Sequence, residues 1–184
     1  MNAPVSHEDL RRPSAVSHRV WRLGADVDTD VLAPGAYMKL GIEGIAPHCL
    51  EALRPEFARE VRAGDVIAAG PGFGIGSSRE QAAGALRHLG VAAVIAPSYS
   101  GLFFRNAFNL GLLLLTCREA ETLSEGEAVR LDLLVPGEPG VIAADGHRLA
   151  CDPVPDFLLA MVNAGGLFNL LRERVPSTKT PETP

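Results

Sequence analysis

Aromatic side chains make up only 5% of the 184 residues, and the 17 basic residues are outnumbered by 22 acidic ones. A base-stacking platform needs the first and a phosphate-tracking surface the second, so both absences argue against nucleic acid as a partner. No apolar run approaches the length of a membrane span. Nor does a charged region followed by an apolar one open the chain, so a cytoplasmic protein is expected. Cysteine is scarce: Cys49, Cys117 and Cys151 lie far apart and show none of the paired spacings of zinc or iron–sulfur ligands. They read as small buried hydrophobes in a reduced compartment. The five histidines (His7, His18, His48, His88, His147) are scattered, with no pair four apart. No metal is therefore expected on this chain.

What is present is an ordinary globular composition, 47% apolar and 21% charged, long enough for one domain with a sound core. Residues 70–89 organise it. Gly70, Gly72, Gly74 and Gly76 stand at every second position, followed by Ser77-Ser-Arg-Glu80 and a stretch, 78–88, with helical apolar spacing. Residues 65–69 before them read as a short buried strand. The glycines permit a tight loop lying close to its neighbours. That loop delivers Ser77, Ser78 and Arg79 to a helix start, where free N–H groups and the dipole favour a negative ligand.

The remaining chain is read around that corner. Residues 1–17 form a flexible lead, 18–174 a single domain and 175–184, rich in Pro, Ser and Thr, a flexible tail. Residues 18–23 alternate as a first strand. Asp26, Asp28 and Asp30 then place three carboxylates in five positions. An Asx-type turn is the favoured reading; a calcium loop lacks the glycine and distal glutamate of an EF-hand; a carboxylate orienting a cation is the third. Residues 31–43 read as a glycine-bounded loop around Tyr37-Met-Lys-Leu40, which either touches a ligand or covers core. Residues 46–62, interrupted by Pro47 and Pro55, should give two short helical pieces. From Asp65 the order becomes strand, helix, strand (91–96), helix (capped by Ser98 and running to Leu110), strand (112–116), which implies parallel pairing. A charged connection over 119–127 leads to a strand at 129–133 and a turn at 136–140. A hairpin (141–144 with 148–151) about Asp145-Gly146 and a helix over 155–164 follow.

The loop fits neither a Walker motif, since Gly76 is followed by serine and no lysine, nor the dinucleotide fingerprint, whose third glycine would fall on Ile75 or Ser77. A nucleophile elbow also fails, lacking the closing glycine. A capping box between Ser77 and Glu80 explains the four-residue pattern. It does not explain four glycines, nor Arg79 in a first turn where a cation opposes the dipole. An arginine there suits a carboxylate, and positive charge beside a serine stabilises its alkoxide form.

Gly72-Phe-Gly-Ile-Gly-Ser-Ser-Arg-Glu-Gln, with Val94-Ile-Ala-Pro-Ser98, Phe103-Phe-Arg-Asn106, Asp28-Thr-Asp30 and Ala164-Gly-Gly-Leu167, resembles the aconitase swivel domain. Its free-standing form, the small subunit of 3-isopropylmalate dehydratase and related hydro-lyases, is the nearest match, in the short archaeal type. The resemblance implies an α/β fold, a swivelling β/β/α domain with a parallel βαβαβ core plus added strands and a hairpin. It implies a large partner subunit carrying a [4Fe–4S] cluster, with no cofactor held by this chain. It assigns Ser77 as the base for a carbon-bound proton and Arg79 to a substrate carboxylate. Ser78 lines the site, Asp30 supports it, Gly72, Gly74 and Gly76 shape the loop, and Tyr37, Met38, Lys39 and Leu40 form the specificity loop.

The sequence departs from its relatives at Ile75, where many carry cysteine, and at Gln81, where leucine-pathway subunits often carry histidine. No arginine stands in 37–40, which weakens citrate or homocitrate as substrate, although Lys39 offers a point charge. Met38 and Leu40 suit an alkyl-substituted malate: 3-isopropylmalate, 2,3-dimethylmalate or a methylmalate. Two other readings stand beside the hydro-lyase. One is a carboxylate-binding or regulatory module without chemistry; the other is a metal enzyme built on Asp26, Asp28 and Asp30.

Overall fold

The computed structural model describes residues 16–133 and 138–174. Most of the expected lead, the tail from 175 and part of the turn at 136–140 lie outside the described residues. His18–Arg22 (β1), Val66–Ala68 (β2), Ala93–Ala96 (β3), Leu113–Thr116 (β4), Ala128–Asp132 (β5), Gly140–Ile142 (β6) and Arg148–Ala150 (β7) form one sheet in the order β4-β3-β2-β1-β5-β6-β7. The first four are parallel, and β5, β6 and β7 add on antiparallel. This is the expected parallel core with extra strands and a hairpin. Every residue of β2 and β3 is buried, as continuous apolar strands covered on both faces must be.

The sheet curls. Two residues beyond β7 the Asp152 amide donates to the Thr116 carbonyl at the end of β4 (2.8 Å), so the chain leaving one edge strand is tied to the other edge. Cys117 and Cys151 sit buried at this seam, and Cys49 is buried elsewhere; all three are free thiols. Burial raises the Cys49 thiol well above its ordinary range.

The connections carry Thr29–Leu32 (α1), Gly41–Ile45 (α2), Phe57–Glu60 (α3), Glu80–His88 (α4), Gly101–Asn109 (α5), Asp156–Asn163 (α6) and Leu167–Arg174 (α7). Buried Ala82, Ala83, Ala85 and Leu86 of α4, with Phe103, Ala107 and Phe108 of α5, pack on the parallel strands. Each large apolar side chain so buried is worth about 1.5–3 kcal/mol. At the far end of the sheet Asp65 Oδ2 accepts from Arg19 Nη2 (2.6 Å), Trp21 Nε1 (2.9 Å) and the Arg62 amide (2.9 Å).

Several local expectations are corrected. The segment 31–43 is wound into helical turns, α1, the 3₁₀ turn Gly35–Leu40 and α2, because consecutive turns satisfy backbone groups that an open loop would leave unpaired. Ser98 does not cap α5. Its hydroxyl accepts from the Gly72 amide (2.9 Å), and Ser100 holds the N-cap position without a side-chain bond. The hairpin expected about Asp145-Gly146 is present, with its first strand ending at Ile142 rather than 144: Gly146 donates to Ala143 (3.0 Å) and takes φ of 88°, which fits a type I turn closed by a bulge glycine. As expected, α6 ends just before Gly165 and Gly166, whose positive φ values of 75° and 122° turn the chain into α7, a helix the reading of 155–164 did not include. Among the described residues no helix is long and apolar enough to cross a membrane.

Candidate active site

The glycine loop is not bare; it is clasped on both sides. On one side the Gly70 amide donates to Gly24 (3.0 Å), Asp26 to Pro71 (2.8 Å), Gly74 to Val27 (2.8 Å) and Thr29 to Ile75 (2.8 Å). On the other, Phe73 donates to Ser98 (3.1 Å) and Ser100 to Phe73 (2.9 Å). The loop thus continues the β1-β2-β3 pairing past the strands' carboxyl ends, as an irregular strand between two neighbours. Gly72, Gly74 and Gly76 take φ of 76°, 78° and 99°, whereas Gly70 does not take positive φ. At Gly74 a Cβ would overlap the Phe103 ring, and at Gly76 it would lie 2.5 Å from Asp28 Oδ1 and 2.8 Å from Thr29 Oγ1. Those two positions require glycine for space as well as for backbone conformation.

Ser77, the expected base, leaves this clasp exposed to solvent. Its amide donates to Thr29 Oγ1 at 2.9 Å, and its hydroxyl stands 3.3 Å from the same oxygen. The capping box is therefore not formed: Arg79 occupies the N-cap of α4, and Ser77, two residues earlier, is fastened to Thr29 instead. Thr29 is 1% exposed and lies 3.4 Å from Asp28 Oδ1. Its one proton goes either to Asp28 or to Ser77, so it can follow charge on the serine oxygen.

Among the three aspartates the Asx reading is correct for Asp28, whose Oδ1 accepts from the Asp30 amide (2.7 Å) and caps α1. Asp30 is turned outward and forms an ion pair with Arg79 Nη1, which also donates to the Ala33 carbonyl (3.3 Å). Nε and Nη2 of Arg79 have no partner among the described residues, and Nη2 faces the bare backbone of Gly35, 3.8 Å from where a Cβ would stand. Half of a planar fork is thus held and half is without a partner among the described residues, on a residue two positions after Ser77. An Arg with an open edge in this setting suits a carboxylate. Ser78 is exposed, and Asn106 of α5 holds its carbonyl through Nδ2 at 3.1 Å.

The turn Gly35–Leu40, which carries 37–40, meets this corner at its first residue, Gly35. Tyr37 and Met38 are half-buried against the core, which favours the covering role for both, while Lys39 and Leu40 are exposed. Among the described residues no hydrogen bond, ion pair or ring contact joins these four to Ser77, Ser78 or Arg79. Tyr37 instead stacks on His48. Burial, then the nearby Glu51 carboxylate, raise its phenol above the ordinary range.

Sequence reasoning passed over Thr29 and Asn106. Each stands inside a quoted motif, Asp28-Thr-Asp30 and Phe103-Phe-Arg-Asn106, and a buried polar residue in such a motif was the available signal. No group of three or more His, Cys, Asp or Glu that could hold a metal ion is found among the described residues.

The aconitase C-terminal domain family matches residues 56–120, which include the glycine loop, α4 and α5. A 3-isopropylmalate dehydratase small subunit of Archaeoglobus fulgidus is 45% identical over 162 residues, covering 85% of this chain and 98% of its own. A methanogen homoaconitase small subunit of Methanothermobacter thermautotrophicus is 43% identical over 152 residues, covering 82% and 87%. The crystal structure of 3-isopropylmalate dehydratase (leuD) from Methanocaldococcus jannaschii superposes with a TM-score of 0.78 at 35% identity, over 86% of this chain and 94% of that one. With this identity along nearly the whole length of such relatives, and with the same fold, the chain belongs to the small-subunit family of the 3-isopropylmalate dehydratases, aconitase-type hydro-lyases.

Proposed function

We propose that this chain is the swivelling small subunit of a cytoplasmic, two-component hydro-lyase. It isomerises an alkyl-substituted malate such as 3-isopropylmalate by removing and re-adding water, and it acts only with a large subunit. The observation that carries this reading is an exposed Ser77, fastened by Thr29, two residues before an Arg79 whose Nε and Nη2 have no partner among the described residues. A carboxylate binder needs the arginine and the amides; it does not need a serine held at their side.

In this reading Arg79 grips one substrate carboxylate with Nε and Nη2 while Asp30 keeps the guanidinium plane oriented. Ser77 Oγ takes the carbon-bound proton. The C–H electron pair becomes the double bond, and the hydroxyl on the neighbouring carbon leaves with its bonding pair as hydroxide, which would become water only with a proton from an acid of the large subunit. Re-addition with the hydroxyl on the other carbon, and return of the proton from Ser77, completes the isomerisation. A serine oxygen is a weak base in water. Here Arg79, the amino end of α4 and a proton from Thr29 all stabilise its negative form. Cys49, Cys117 and Cys151 are buried and do not converge as cluster ligands. The resemblance assigns a [4Fe–4S] cluster to the large subunit, where it would act as a Lewis acid.

Leu40, 62% exposed, offers apolar surface for an alkyl branch. The exposed Lys39 and the similarity to a homoaconitase small subunit support a second reading, a substrate with an additional carboxylate such as homocitrate. Affinity purification of this chain from its cells under anaerobic conditions tests the proposal. A larger brown partner, and turnover by the pair on an alkylmalate, are expected. A colourless chain recovered alone would point to the binding module, and preference for homocitrate to the second reading.

A further inference from the structure

We propose that His48 and Glu51 are positioning residues for the substrate-facing segment Gly35–Leu40, acting through Tyr37. The inference rests on the alkylmalate reading for what the segment does, and on three observations for how it is held. The Tyr37 and His48 rings are stacked with centroids 3.5 Å apart and planes 8° from parallel. His48 Nδ1 lies 2.6 Å from Glu51 Oε2, and since a carboxylate only accepts, the ring N–H donates. The turn bearing both residues is itself anchored: Leu50, buried and at φ of 62°, donates to the Val31 carbonyl at 2.7 Å.

The segment's ends are also fixed. At its start Gly35 lies against the open edge of Arg79. Just beyond its end, Ile42 of α2 sits over Gly84 of α4, where a Cβ would come within 3.1 Å of the Ile42 side chain. Between these anchors, over Tyr37, Met38, Lys39 and Leu40, Tyr37 has the one ring contact described, and it is with His48. The Glu51 carboxylate orients the imidazole and also acts directly on the Tyr37 phenol; imidazole and carboxylate together hold Tyr37, and Tyr37, beside a Met38 packed on the core, sets where Lys39 and Leu40 stand relative to Arg79. None of this requires His48 or Glu51 to touch substrate.

Two measurements on His48→Ala, His48→Phe and Glu51→Gln test the proposal. The first is kcat and KM for 3-isopropylmalate with the full chain assembled on its large subunit. The second is the rate of tryptic cleavage after the exposed Lys39 in the full chain, which reports local opening. His48→Ala should raise KM and speed cleavage by about three- to tenfold, the size of one stacked aromatic pair, with kcat within about twofold. His48→Phe, which keeps the stack, should return both toward the original values, and Glu51→Gln should fall between. Unchanged cleavage and KM in His48→Ala, or loss of kcat at constant KM, would overturn the proposal. If the unaltered pair turned over no alkylmalate, the functional reading would fail instead, while the cleavage rates would still decide whether His48 pins the segment.

Discussion

The buried hydroxyl of Thr29 accepts the backbone N–H of Ser77 at 2.9 Å and stands 3.3 Å from the Ser77 hydroxyl. Residues 48 positions apart are thereby locked into one unit, and the exposed serine gains a fixed orientation. Thr29→Val keeps the shape and removes the oxygen. A misplaced reacting group costs rate rather than binding, so kcat of the assembled enzyme should fall by about tenfold or more with KM little changed. Thr29→Ser should recover most of it, as steady-state kinetics would show.

Arg79 divides its guanidinium between Asp30 and Ala33 on one side and open space on the other. Lysine keeps the charge but not the planar fork. Arg79→Lys should raise KM by about ten- to a hundredfold, in line with losing one charge-assisted bond of about 1.5–3 kcal/mol. Titration with a non-reacting dicarboxylate would show the same loss without any turnover.

Gly74 is buried at φ of 78° with the Phe103 ring where a Cβ would go. Gly74→Ala should destabilise the chain by about 2–4 kcal/mol, combining backbone strain with overpacking. Urea unfolding checks it, and Gly24→Ala, where nothing stands within 4 Å, serves as the quiet comparison.

Asp65 gives the acid dependence of stability. Burial alone would raise its carboxyl, but hydrogen bonds from Arg19, the Arg62 amide and Trp21 outweigh burial and hold it below the usual range. A carboxyl lowered on folding contributes stability that is complete above its unfolded value, about 3.9 for aspartate, and lost as pH falls through the lower folded value. Asp65→Asn should therefore cost stability at pH 7, by about 1–3 kcal/mol for the weakened bonds. The gap to the unaltered chain should narrow below about pH 4. Thermal unfolding across pH would reveal it.

The parallel core was legible because residues 65–69, 91–96 and 112–116 are short apolar runs between glycines and helical stretches, a pattern with one economical solution. Arg79 drew attention to the corner because a cation opposes the helix dipole unless an anion meets it; the anion present is the chain's own Asp30, a partner no local spacing indicated. What local reasoning could not supply was pairing between distant residues. Ser77 is fastened to Thr29 and Ser98 to Gly72, so both left the caps that neighbouring residues suggested. The stack of Tyr37 on His48 likewise joins two residues that no local spacing relates, on a segment expected as a loop and found as wound turns.

Ser77→Ala in the assembled two-subunit enzyme tests the central claim most directly, read as kcat together with substrate affinity. If Ser77 is the base, kcat should fall by about 10²–10⁴-fold while affinity is largely retained, because Arg79 still holds the carboxylate. Turnover unchanged by the substitution would contradict the assignment and leave this corner a carboxylate-binding site alone.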